Sequence, residues 1–118
     1  MKALVTDDSA FMRNMMVEIL EDMGFDEVLE ADDGSVAVEK HDSEDIDLVT
    51  LDIVMEDVGG VEALKQIKEQ DESTHCIMVS SVGQDQMVEE AKENGAEYFI
   101  DKPFDDEEVK DTITEIIT

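Results

Sequence analysis

Three observations predict a doubly wound α/β domain, (βα)5, with five parallel strands and five helices. Short apolar runs recur five times along the 118 residues, a segment with helical spacing of apolar residues follows each run, and polar or glycine-bearing loops separate them. Strands alternating with helices of about 10 to 14 residues specify right-handed βαβ units, and hence a parallel sheet covered by helices on both faces. The length suits one domain, spanning 1–118, around a single core. With 42% hydrophobic residues, 36% charged residues and one proline, the composition is globular and not disordered.

Residues 2–6 read as the first strand. Ser9 can cap a helix over 10–23, where Met12, Met16, Ile19, Leu20 and Met23 recur on one face and Gly24 ends the run. Methionine-rich helices can form adaptable binding surfaces, but this stripe follows a strand and reads as core. Glu27 to Ala31 form the second strand, leading through Asp32-Asp33-Gly34 into a short helix with Val36, Ala37 and Val38. Ile46 to Leu51 are apolar nearly throughout, the pattern of a strand covered on both faces, which places it centrally. After Asp52 a loop reaches Gly59-Gly60, and a helix follows with Val61, Leu64 and Ile67 on its buried side. Cys76 to Val79 form the fourth strand, followed by Ser80-Ser81 and a helix over 84–94 closed by Gly95. Tyr98 to Ile100 form the fifth. The last helix begins near Asp105-Asp106, acids suited to the positive end of its dipole, and runs through Val109, Ile113, Ile116 and Ile117.

Composition excludes several function classes. Thirty-four acids against eight bases leave a net charge of -26, so nucleic acid is not an expected partner, because neutralising phosphates needs Lys and Arg. No apolar run approaches the ~18 residues of a membrane span, and Asp7 and Asp8 leave no room for a signal-peptide core, so a cytoplasmic protein is expected. A single cysteine, Cys76, precludes an internal disulfide, and its apolar strand makes it a buried structural thiol. His41 and His75 lack partners at metal-ligand spacing, which argues against zinc or haem.

The chemistry-bearing residues stand where strands end. Asp7-Asp8, Asp52 and Lys102-Pro103 each follow an apolar run, and in a parallel sheet those ends converge on the crevice where such folds bind ligands. Two carboxylates about 5 Å apart repel by roughly 3 kcal/mol at an effective dielectric near 20, so three acids in one crevice call for a cation. Oxygen ligands without Cys or His favour Mg²⁺. Three negative charges, Mg²⁺ and Lys102 sum to zero, a neutral site for an incoming phosphoryl group. Asp52 can act there as a nucleophile toward phosphorus, forming an aspartyl-phosphate, with Lys102 and the Ser80 hydroxyl stabilising charge on the phosphoryl oxygens. Taken singly, each residue reads as ordinary turn or cap chemistry; their coincidence at successive strand ends carries the signal.

Asp7-Asp8-Ser9, Leu51-Asp52-Ile53-Val54-Met55 with Gly60 eight residues after Asp52, Ser80-Ser81 and Lys102-Pro103-Phe104 together resemble the receiver domain of two-component response regulators. With Phe11-Met12-Arg13 after the acidic pair, the chain is most similar to the stand-alone chemotaxis members. The resemblance implies a flavodoxin-like sheet in the order 2-1-3-4-5. It implies phosphoryl transfer to Asp52 from a phosphohistidine on a sensor histidine kinase of the CheA kind, with Asp8, Asp52 and the Val54 carbonyl on Mg²⁺ and Asp7 assisting through water. Lys102 would pair with the phosphoryl oxygens, Ser80 and Phe99 would form the switch, and helix four, strand five and helix five would present the altered face to a motility or adaptor protein. A monomer is expected.

Departures from the family pattern are Glu56 in place of a frequent proline, Ser81 where alanine is commonest, and Asp101 immediately before Lys102. Asp101 is expected to point away from the site, as strand neighbours do. The Lys102–Pro103 bond is usually cis in the family. Val54 and Val82 stand where polar side chains of some relatives orient the hydrolytic water, so slow intrinsic dephosphorylation is expected. Two other readings stay open: a phosphorelay intermediate, and a small Mg²⁺ phosphohydrolase. The latter is disfavoured because Val54 stands where such enzymes carry a second acid.

The acids are spread over helical segments such as Glu89, Glu90 and Glu93, a solvated surface suited to the salt-rich cytoplasm of a halophile. The Debye length is about 10 Å at 0.1 M salt and about 3 Å at 1 M, so self-repulsion is screened only in brine. The melting temperature is expected to rise by several degrees between 0.1 M and 2 M KCl; scanning calorimetry at the two concentrations checks this.

Overall fold

The computed structural model describes every residue except Glu56, Asp57, Val82, Gly83 and Thr118. Five strands and five helices alternate: β1 Lys2–Thr6, α1 Ala10–Asp22, β2 Glu27–Ala31, α2 Gly34–Ser43, β3 Leu48–Asp52, α3 Gly60–Gln70, β4 His75–Ser80, α4 Asp85–Glu93, β5 Tyr98–Asp101 and α5 Asp106–Ile117. The strands are all parallel, in the order β2-β1-β3-β4-β5, as expected. Leu4 registers with Leu29 on one side and Val49 on the other, Val49 with Cys76, and Ile77 with Tyr98.

Period-2 alternation divides the strand side chains between two cores. Leu4, Val49, Leu51, Cys76 and Met78 pack with Ala37, Ala63, Leu64, Ile67 and Ala91 of α2, α3 and α4. Ala3, Val5, Leu48, Ile77, Val79 and Ile100 pack on the other face with Met16, Ile19 and Leu20 of α1 and Val109 and Ile113 of α5. Every residue of β3 is buried, which makes it the central strand. Burial pushes the Cys76 thiol up to about 12, so this sulfur is inert packing.

Local signals explain the helix ends. The Ser9 hydroxyl accepts from the Met12 amide at 3.3 Å, Asp33 caps α2 through the Val36 amide at 2.9 Å, and Asp105 caps α5 through the Glu108 amide at 2.8 Å. Gly24 and Gly95 follow α1 and α4 with φ of 94° and 100°, the left-handed turn that ends a helix without a Cβ clash.

Several boundaries differ from the expectation. Ile46 precedes β3 instead of opening it, although it is buried in the core. Asp52 and Ser80 are the last residues of their strands and not the first of their loops, so the ladder fixes their backbones directly. On α1, Met16, Ile19 and Leu20 are buried while Met12 and Met23 sit at the margin. Val61 is half-buried, with Ala63 completing the inner side of α3, and Ile117 is exposed at the end of α5. His41 is buried between α2 and α3, its Nδ1 2.6 Å from Gln70 Oε1 and its Nε2 2.8 Å from Thr74 Oγ1, an inter-helix tie.

One glycine holds the strand end that matters most. The Gly60 amide donates to the Ile53 carbonyl at 2.9 Å, and a Cβ there would overlap the Asp52 carbonyl oxygen and lie 2.8 Å from Ile53 Cα. Both obstacles are backbone, so a side chain must push α3 away from the end of β3. Gly60→Ala is expected to cost about 3 kcal/mol, the upper end for overpacking. Gly59→Ala, whose Cβ would meet nothing nearer than 3.7 Å, is expected to cost less than about 1 kcal/mol, and urea titration of the two variants tests the contrast.

Candidate functional site

The parallel register brings the ends of β1, β3 and β5 to one rim. Asp7 and Asp52 are buried there, with relative exposures of 5% and 6%, Asp8 is exposed, and Lys102 follows β5 half-buried. One carboxylate oxygen from each of Asp7, Asp8 and Asp52 lies within 4.8 Å of the others. The Lys102 ammonium bridges the two buried acids, 2.9 Å from Asp52 Oδ2 and 3.0 Å from Asp7 Oδ2.

The backbone explains why these side chains meet. Asp52 registers with Val79, the Ile53 amide donates to the Val79 carbonyl at 3.0 Å, and the Lys102 amide donates to the Ser80 carbonyl at 2.7 Å. β4 therefore spaces the nucleophile candidate from the lysine. The Lys102–Pro103 peptide is cis. Asp7 Oδ1 accepts from the Ser9 amide at 2.9 Å, so one side chain serves both the crevice and the turn into α1. Val54 is exposed, and its amide approaches Asp52 Oδ1 at 3.4 Å.

The charges are left unbalanced. Burial, the largest influence, raises the Asp52 carboxyl above the usual range, and the Asp7 charge adds to it; the Lys102 hydrogen bond and the Val54 amide oppose them. Burial also works against the Lys102 ammonium, but its bonds to Asp52 and Asp7 outweigh that, and its pKa is raised. The Lys102 ammonium pairs with two of the three clustered carboxylates and leaves Asp8 without a partner among the described residues. A pair of carboxylates at 4.8 Å repels by roughly 3 kcal/mol at a dielectric near 20, so the residues fit a divalent cation, and an all-oxygen donor set fits Mg²⁺.

The other expected residues lie around this centre. Ser80 ends β4 and is buried. Phe99 is half-buried in β5, in register with Met78 and packed against the core that includes Met78 and Ala91, with the Lys92 ammonium 5.6 Å from its ring centroid. Asp101 is exposed, while Ser81 is exposed with its amide on Gln84 Oε1 at 2.8 Å. Glu56 and Val82 lie outside the described residues. Sequence reasoning assigned Lys102 to the phosphoryl oxygens and missed it as a clamp on both acids at once, a contact that neither its place after the fifth strand nor the Lys102-Pro103-Phe104 motif records.

This arrangement recurs in known proteins. The response regulator receiver domain profile matches residues 3–114. The chain belongs to the response regulator receiver domain family. It is 44% identical over 116 residues to the chemotaxis protein CheY of Bacillus subtilis, covering 98% of this chain and 97% of the relative. It is equally 44% identical over 117 residues to CheY of Halobacterium salinarum, covering 99% and 97%. Among solved structures, the CheX–CheY–BeF3–Mg²⁺ complex from Borrelia burgdorferi matches with a TM-score of 0.92 at 34% identity, covering 99% of this chain and 89% of that one. The chain is thus a CheY-like chemotaxis response regulator, of a family that accepts phosphoryl groups and binds Mg²⁺ at an acidic cluster of this kind. The phosphohydrolase reading falls with that assignment. The similarity to the Halobacterium salinarum relative agrees with the acidic surface. No helix among the described residues is long and apolar enough to cross a membrane.

The raised Asp52 carboxyl has a thermodynamic consequence. An acid whose folded pKa exceeds its unfolded value binds its proton more tightly in the folded state. Stability therefore falls as pH rises from the ordinary value of 3.8 through the folded one. Asp52→Asn removes that penalty. Without divalent cations, the variant is expected to melt several degrees above wild type at pH 7, with the gap closing as pH drops into the carboxylate range. Excess Mg²⁺ shrinks it too, because Mg²⁺ at a hundred times its Kd adds about 2.7 kcal/mol to the form that binds it. Melting curves against pH, with and without Mg²⁺, check both.

Proposed function

We propose that residues 1–118 form one receiver domain that works as a phosphoacceptor switch, with Asp52 as the phosphorylated residue. The observation that carries this reading is the buried Asp52 carboxylate at the end of the central strand, shared with Asp7 by one ammonium and facing Asp8. An Asp52 oxygen forms the bond to phosphorus while the bond from phosphorus to the kinase histidine nitrogen breaks, and the nitrogen leaves with the electron pair. Lys102 turns from the two acids to the phosphoryl oxygens, keeping a positive charge where negative charge gathers. Asp8, Asp52 and the Val54 carbonyl, with Asp7 through water, would hold Mg²⁺, whose chemistry there is to neutralise charge on the phosphoryl oxygens.

The chain promotes its own phosphorylation and dephosphorylation by positioning these groups. The Val54 side chain carries no polar atom to orient a hydrolytic water, which favours slow loss of phosphate. The Ser80 hydroxyl moves to the phosphoryl group, Phe99 turns inward, and the face of α4, β5 and α5 changes. The donor is a CheA-like sensor histidine kinase in the cytoplasm, and the target is a motility or adaptor protein that binds the monomer. The co-structure of the Borrelia relative with CheX supports a partner of that kind.

Acetyl phosphate with Mg²⁺, read by intact mass, tests the reading. Wild type is expected to gain one phosphoryl adduct, and Asp52→Asn or omission of Mg²⁺ none. An adduct on Asp52→Asn, or none on wild type, contradicts the assignment.

A further inference from the structure

The geometry points to Arg13 as a positioning residue for the cation-binding acids. Arg13 is the single arginine of the chain, and it lies on α1, the helix that follows the acidic pair. Its Nη1 donates to the Asp7 carbonyl oxygen at 2.8 Å, and its Nε pairs with Glu30 Oε1 on β2 at 3.0 Å. One planar fork thus ties the loop after β1 to the neighbouring strand, a two-armed grip that a lysine cannot reproduce.

What the fork holds makes this more than a surface ion pair. The Asp7 amide donates to the Ala31 carbonyl at 3.2 Å, Oδ1 accepts from Ser9, and Oδ2 accepts from Lys102. With Arg13 on its carbonyl, every polar atom of Asp7 is engaged. Asp8, in contrast, is exposed and makes no hydrogen bond or ion pair among the described residues, so its carboxylate is placed only by the backbone that carries it. The Asp7 carbonyl belongs to the peptide plane joining Asp7 to Asp8, and that plane is rigid. By fixing its rotation, Arg13 aims Asp8 at the other two acids.

This inference rests on the reading of the crevice as a Mg²⁺ site, and charge and position make opposite predictions for it. By Coulomb attraction alone, removing a guanidinium near an acidic crevice tightens cation binding. Removing a positioning group weakens it, and outer partners of metal ligands typically carry 10- to 100-fold in affinity. Mg²⁺ titrations of the 118-residue chain, followed in ¹H–¹⁵N spectra at constant high KCl, read the difference. Arg13→Ala is expected to bind Mg²⁺ about tenfold more weakly than wild type. Arg13→Lys keeps the charge and the helix but loses one arm, and is expected to lie between them. Binding by Arg13→Ala as tight as wild type or tighter overturns the proposal, including when its melting temperature falls, since a merely structural role moves stability and not affinity. Should Arg13→Ala fail to fold, wild-type affinity in Arg13→Lys overturns it equally. Wild type without saturable shifts at Asp8 and Asp52 overturns the Mg²⁺ reading itself, a separate outcome from an unaltered variant.

Discussion

The ammonium of Lys102 between the carboxylates of Asp7 and Asp52 is the constraint on which the site depends. Two buried acids at the ends of neighbouring strands are tolerable because one cation reaches both, at 3.0 and 2.9 Å. That contact requires β5 to end level with β3, which β4 enforces through its hydrogen bonds to Ile53 and Lys102. It also requires α3 to pack closely behind Asp52, which Gly60 permits. The sheet, the glycine and the lysine together leave a crevice that is folded yet short of positive charge. Such a site is poised, because whatever supplies the missing charge is bound, and whatever adds negative charge must redistribute the ammonium.

The same economy of cations governs the rest of the molecule. With eight basic residues against 34 acids, several pair at the surface, as in Lys2–Glu44 at 2.8 Å, Lys65–Glu90 at 3.4 Å and Lys110–Asp22 at 2.8 Å. Exposed pairs of this kind contribute about 0 to 1 kcal/mol each and are weakened by salt. They do not offset the repulsion among the remaining acids, which mobile counter-ions screen. The half-buried Lys102 and Arg13 are in a different position, since each holds two partners and desolvation strengthens what it holds.

Much of the fold and of the crevice was legible because their signals are local. The Ser9 cap, the glycines after α1 and α4, and the apolar runs each depend on a few adjacent residues, and a parallel sheet then forces the strand ends together. Less legible were features that depend on which surfaces touch. That Ile117 stays exposed while Ile113 is buried follows from where α5 leaves the sheet, and periodicity does not record it. His41 finds Gln70 and Thr74 at separations of 29 and 33 residues, for which no motif exists. Gly60 was visible as part of a pattern, but its reason, the approach of α3 to the Asp52 carbonyl, is purely three-dimensional. Arg13 stood in the Phe11-Met12-Arg13 run without a role until its two partners were seen.

The central claim is that Asp52, Asp8 and Lys102 act on one phosphoryl-sized group beside one divalent cation. A crystal structure grown with Mg²⁺ and beryllofluoride, a tetrahedral stand-in for the phosphoryl group, tests it most directly. The account predicts beryllium bonded to an Asp52 oxygen, the cation against Asp8, and the Lys102 ammonium moved from the carboxylates onto a fluorine. A structure in which Lys102 still bridges Asp7 and Asp52, with the cation or the fluoride bound elsewhere, would contradict it.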